Sequence, residues 1–171
     1  MLTVALALAL ALPTAQAATT APTAPLVQAA VPAKGVLAPG RTLGGVALGD
    51  TAAGVRARWG TRYEKCTVCA RPTWLYTTGG GRTGAAVSFR SGRVSAVFTL
   101  GAPAGWKTAQ GLMVGDDTRV AVDLYGTFAW KGCIGYGALS KRAPGVVTSI
   151  YTFGDSVYGF ALTRPSEPVC Q

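Results

Sequence analysis

The sequence predicts an α+β protein made of two tandem repeats, each a short helix followed by an antiparallel three-stranded meander, with the two sheets joined over a shared core. Three observations carry this. The stretch GVALGDTAAGVRARWG at residues 45–60 is echoed by GLMVGDDTRVAVDLYG at residues 111–126. In both, a Gly-Asp pair stands where a helix can begin and a glycine stands where it can end. Downstream, AVSFRSGRVSAVFTL (86–100) and SIYTFGDSVYGFALT (149–163) each place a turn rich in Gly, Ser and charge between two half-apolar runs, which is the pattern of a β-hairpin.

Taken in order, the chain opens with an apolar run, Leu2 to Leu12, broken by Pro13 and followed by Ala15-Gln16-Ala17. Residues 1–17 therefore read as a signal peptide cleaved after Ala17. The run is shorter than the roughly 20 apolar residues a membrane-spanning helix needs. Residues 18–40 are rich in Ala, Pro and Thr, with Lys34 the sole charge and no aromatic ring, and are expected to be a disordered spacer. Repeat 1 then spans 41–105 and repeat 2 spans 106–171, the two forming one compact unit.

Within each repeat, Gly45, Gly49, Asp50 and Gly60 correspond to Gly111, Gly115, Asp116 and Gly126. Ala52, Val55 and Trp59 follow at helical spacing in the first, and Ala121 and Tyr125 in the second, predicting a helix of about ten residues with one aromatic near its end. Thr73 to Thr78 and Cys133 to Leu139 supply the first strand of each meander, and the hairpins above supply the other two. A short helix on three strands buries little surface, so two copies sharing a core make physical sense.

Gly-x-x-Leu-Gly-Asp (with Val114 for the Leu in the second copy), a helix, an aromatic-Gly pair and a meander, present twice between residues 41 and 163, resemble the tandem repeats of the beta-lactamase inhibitory protein family. The unit is also similar to the single repeat of the small outer-membrane assembly lipoprotein family. The resemblance implies an interaction protein that binds through sheet faces and hairpin loops without catalysis. Inhibition of beta-lactamase is not carried over, because the inhibitory hairpin of that family holds an acidic residue where this chain has Gly79-Gly80-Gly81-Arg82 and Arg90-Ser91-Gly92-Arg93.

Charge and cysteines narrow the function. The net charge is +9, with eleven Arg and five Lys against seven acids. Residues 41–105 hold nine basic groups against Asp50 and Glu64, a balance of +7, whereas residues 106–171 hold six against five. Arg56 and Arg58 flank the predicted buried face of the first helix, and Arg82, Arg90 and Arg93 are expected at hairpin turns, where side chains reach a partner. Trp106 and Trp130 lie outside the clear strands, and Trp106 joins the candidate binding set as an exposed contact. The partner is then an unknown protein, or alternatively an anionic envelope polymer, membrane headgroups or extracellular nucleic acid.

Four cysteines in an exported chain imply two disulfides, for which three pairings exist. Cys66 with Cys69 and Cys133 with Cys170 is the expected set. A redox role for the CxxC would want its first cysteine at a helix start, and a zinc site lacks any histidine. The absence of histidine also removes the usual general base. Asp116-Asp117 reads as a helix cap and Gly79 to Gly81 as a loop rather than a phosphate cradle. No enzyme, cofactor or metal is expected, and the secreted protein is expected to be a monomer. Intact mass of the exported protein should place its first residue at Ala18; a mass retaining Leu2 to Leu12 would contradict cleavage there.

Overall fold

The structure, a computed structural model, describes residues 35–78, 82–101 and 105–171. The signal peptide, most of the spacer and the Gly79 to Gly81 run lie outside the described residues, as does the side chain of Arg82.

Among the described residues there are twelve strands and two helices. In chain order they are β1 (Val36–Ala38), β2 (Thr42–Leu43), β3 (Val46–Ala47), α1 (Ala52–Trp59), β4 (Glu64–Lys65), β5 (Thr73–Thr78), β6 (Arg82–Arg90) and β7 (Arg93–Thr99). There follow β8 (Lys107–Thr108), α2 (Thr118–Tyr125), β9 (Ala129–Cys133), β10 (Tyr136–Ala143), β11 (Val146–Phe153) and β12 (Ser156–Thr163). The long strands form one eight-stranded antiparallel sheet in the order β4-β5-β6-β7-β12-β11-β10-β9. A small second sheet runs β3-β2-β1-β8, with β1 parallel to β8.

This mostly β architecture corrects the α+β tandem-repeat expectation. Two helices of eight residues accompany twelve strands, and the four-stranded sheet has no counterpart in a helix-plus-meander unit. The physical reason is that caps and periodicity report local structure only. They do not say how many layers the strands make. Three further boundaries move. Val36–Ala38 is a strand inside the stretch expected to be spacer, and Leu37 there is wholly buried. The strand expected over Cys133 to Leu139 is broken by the Ile134-Gly135 turn between β9 and β10. β10 runs on past Leu139 to Ala143, so a tight turn at Pro144-Gly145 joins it to β11.

Local chemistry explains the helices. The Thr51 hydroxyl accepts a hydrogen bond from the Gly54 amide at 3.1 Å and caps α1, and the Asp117 carboxylate accepts from the Arg119 amide at 2.8 Å and caps α2. Each helix ends at a glycine with positive φ whose N–H reaches back four residues, Gly60 to Arg56 and Gly126 to Val122. Hydrogen bonds from Arg119 hold the Asp117 carboxyl down at about 2. Asp50 and Asp116 do different work: each carboxylate accepts from the amide three residues earlier, Ala47 at 2.9 Å and Met113 at 2.7 Å.

The inner face of the large sheet packs on α1 and the small sheet. Trp59 of α1 and Trp106 meet edge to face at 5.7 Å, and Trp59 meets Tyr76 of β5 in the same way at 5.3 Å. The Trp59 indole N–H donates to the Gly44 carbonyl at 2.8 Å. Trp106 fits because Gly35 and Gly44 carry no side chain: a β-carbon on either would approach its ring to 2.6 Å. This overturns the expectation of Trp106 as an exposed contact, since its exposure is 0%. The exposed tryptophan is Trp130 on β9, at 70%.

The outer face is covered in part by the C-terminal segment after β12. Tyr151 donates to the Val169 carbonyl at 2.7 Å and Tyr136 to the Gln171 carbonyl at 2.9 Å. The Cys133–Cys170 disulfide ties the segment's end to β9, while Cys66–Cys69 closes a short loop between β4 and β5. Closing a loop of that larger size is worth about 4 kcal/mol in the chain-entropy account. Trp106→Ala should lower unfolding free energy by about 3–5 kcal/mol, and Gly44→Ala should also destabilise through both its positive φ and its clash with the ring. Denaturant melts check both; a near-native midpoint for either would contradict the packing.

Candidate functional site

Four arginines of the first half, Arg58, Arg71, Arg90 and Arg93, and Arg164 of the second gather around the turn between β6 and β7. Arg90 and Arg93 are the last paired residues of that hairpin, and Ser91 between them takes a positive φ of 50°. Two other pieces of chain close on the turn. The Gly49-Asp50 segment docks on β7 through Gly49 N–H to the Val94 carbonyl at 2.8 Å and Val94 N–H to the Asp50 carbonyl at 2.9 Å. The segment leaving β12 runs along the same edge of β7, with the Arg164 amide donating to the Ser95 carbonyl at 2.9 Å.

Arg58, Arg71, Arg90 and Arg93 at this rim each meet a specific acceptor. Arg93 donates to the Gly49 carbonyl at 3.4 Å. Arg58, from the last turn of α1, pairs with Asp50 at 3.3 Å and donates to the Gly54 carbonyl at 3.1 Å. The Arg164 guanidinium lies close enough to Gly49 that a β-carbon there would come within 3.3 Å of it. Arg90 donates to the Ser166 hydroxyl at 3.3 Å and sits 3.7 Å from the Glu167 carboxylate, which also forms an ion pair with Arg71. Glu167 is buried to 2% exposure although it is charged, and its Oε1 has no hydrogen-bond partner, so the two guanidinium groups are what make its burial tolerable.

The result is a rim of five guanidinium groups, Arg58, Arg71, Arg90, Arg93 and Arg164, against two carboxylates, Asp50 and Glu167. Both carboxylates are already engaged, which leaves the rim strongly positive. Arg56 stands beside it on α1, 5.5 Å above the Trp74 ring, and Trp74 in turn packs on Phe89 at 4.6 Å. Arg82 does not join. It is the first residue of β6, paired with Thr78, and eight strand steps of about 3.3 Å put it some 26 Å from Arg90. The three arginines expected at hairpin turns thus stand at two separate places, Arg82 at the start of β6 and Arg90 with Arg93 at the β6–β7 turn.

Sequence reading missed Arg71, Arg164 and Glu167 as parts of this site. Arg164-Pro165 directly follows an apolar strand, and Glu167 lies between the two prolines Pro165 and Pro168. That pattern signals a segment turning away from the end of a strand, but nothing in it says where the segment lands. Among the described residues no group of three or more His, Cys, Asp or Glu comes together as metal ligands. The tyrosines with perturbed hydroxyls, Tyr76, Tyr136 and Tyr151, are all pushed up by burial, so they act as neutral donors at ordinary pH.

Glu167→Gln keeps the side chain's size and removes its charge. It should cost about 1–2 kcal/mol, at the low end for a buried charged pair because Arg71 and Arg90 are partly exposed. It should also loosen the C-terminal segment, seen as faster amide exchange at Arg164 and Glu167. Unchanged exchange there would contradict the role given to this carboxylate.

No protein-family model matches the sequence, and no curated protein matches it. Among solved structures, the chain is similar to an extracellular protein containing an SCP domain from Bacillus anthracis str. Ames, with a TM-score of 0.47 and 8% sequence identity. The likeness covers 69% of this chain and 44% of that one, so the chain spans less than half the length of that protein.

Proposed function

We propose that this protein is a secreted, non-catalytic binding module that captures an acidic protein surface on the arginine rim at the β6–β7 turn. Two disulfides among the described residues support an oxidising, extracellular setting. No helix of the described residues is long and apolar enough to cross a membrane.

The observation that carries the reading is the held geometry of the rim. Arg93 and Arg90 are fixed by the Gly49 carbonyl and Ser166 on one hairpin end, so much of the side-chain entropy that binding would otherwise cost is already lost. Planar guanidinium groups in fixed positions match carboxylates in pairs and so suit a defined acidic surface. A loosely charged polymer would instead be met as well by mobile side chains, and its capture would fall steeply with salt. The outer sheet face is a poorer contact surface, because the C-terminal segment lies on it.

Arg90→Ser combined with Arg93→Ser should abolish most capture of a partner from the producing cells' envelope fraction. Arg82→Ser, at the far end of β6, should leave capture intact and serves as the internal control. Equal capture by all three proteins would show that the rim is only a solvated face. Loss of capture by the wild type on a moderate rise in salt would favour the anionic-polymer reading instead.

A further inference from the structure

Away from the arginine rim, a cavity of about 250 Å³ opens between the end of α2, the β10–β11 hairpin and the turn after β1. Its walls are apolar: Leu37, Pro39, Phe128 and Ile150 line it, and Leu37 and Ile150 are otherwise core residues. Taking about 30 Å³ per water molecule, it has room for roughly eight water-sized groups.

Four polar residues border this apolar space: Arg142, which strand alternation turns to the face of β10 opposite Lys141, and Tyr125, Lys141 and Thr148, each with a proton to give. Tyr125 borders the cavity, while its hydroxyl is enclosed and has no hydrogen-bond partner, a state that costs about 1–3 kcal/mol and that turning toward a bound acceptor would relieve. Lys141 spends one of its three donors on the Tyr125 backbone carbonyl at the end of α2, and its ammonium stands 5.4 Å from the Phe128 ring. The Thr148 hydroxyl accepts from the Gly40 amide at 3.0 Å, which leaves its own proton free. No carboxylate lines the cavity. A water would satisfy one donor, but donors gathered at an otherwise apolar wall with a fixed cation complement an acceptor that carries negative charge on a greasy body.

We propose that this cavity is a binding site for a small monocarboxylate with an apolar body of hexanoate or benzoate size. The carboxylate sits between Lys141, Tyr125 and Thr148, and the hydrocarbon lies against Leu37, Phe128 and Ile150. The site is independent of the arginine rim, since no residue is common to the two.

The test is a ¹H–¹⁵N NMR titration of the exported, disulfide-bonded protein with hexanoate, 1-hexanol and hexylammonium, which share a hydrocarbon tail and differ in head group. Hexanoate should shift the amides of Gly40, Gly126 and Thr148 and bind about tenfold more tightly than hexanol, the worth of one charge-assisted contact. Hexylammonium should not bind. Lys141→Met should remove the preference for hexanoate over hexanol, Lys141→Arg should keep it, and Tyr125→Phe should weaken hexanoate by a smaller factor while leaving the fold intact. Equal binding of hexanoate and hexanol, no shifts near the cavity with hexanoate, or an undiminished preference in Lys141→Met would each overturn the proposal.

Discussion

The edge-to-face pair of Trp59 and Trp106 is the contact on which the other layers depend. The small sheet consists of strands two or three residues long, and so few ladder hydrogen bonds cannot hold a sheet in place by themselves. What holds it is Trp106, pressed between Gly35 and Gly44 and seated on Trp59. Trp59 also passes a hydrogen bond to Gly44 and an aromatic contact to Tyr76, so one side chain joins the helix to both sheets. Burial of rings this large contributes several kcal/mol each. That exceeds what the short strands contribute through their own pairing.

The rim inherits its geometry from that core. Seating α1 fixes the Gly49-Asp50 turn at its start, and that turn forms three-point contact with the β6–β7 hairpin through Gly49, Asp50 and Arg93. The second support comes from the end of the chain. The C-terminal segment is tied at its end by Cys133–Cys170 and at its middle by Glu167, which draws Arg71 and Arg90 inward. Exposed ion pairs of the Arg58–Asp50 kind are worth little as stability, usually below about 1 kcal/mol. Their consequence here is positional: guanidinium groups that would wander in solvent are aimed.

Much of the local structure was legible in the sequence, and the reasons differ by element. Thr51 and Asp117 stand at helix starts because their side-chain oxygens answer unpaired amides, a relation spanning two or three residues that the local order of residues reveals. The Ser91-Gly92 and Gly154-Asp155 turns are marked the same way. Long-range relations were not legible. Trp106 lies in a Gly- and Pro-rich stretch without periodicity, and its burial requires glycines at 35 and 44 that only the fold brings to it. The strand at Val36–Ala38 hides in a spacer-like composition because it is three residues long and borrows its stability from β8 and the core. The distance between Arg82 and Arg90 emerges only once β6 is recognised as one continuous nine-residue strand. Glu167 gave no signal, since a buried acid is defined by arginines distant in the chain.

The proposed capture rests on a preformed rim, its arginines held before any partner arrives. NMR relaxation at the arginine side-chain Nε–Hε groups tests this directly, with Arg41 as an exposed reference. Arg71, Arg90 and Arg93 should be markedly more ordered than Arg41 on the ps–ns timescale, and Arg90 should lose order when Glu167 is replaced by Gln. Order at Arg90 and Arg93 no higher than at Arg41 would contradict it.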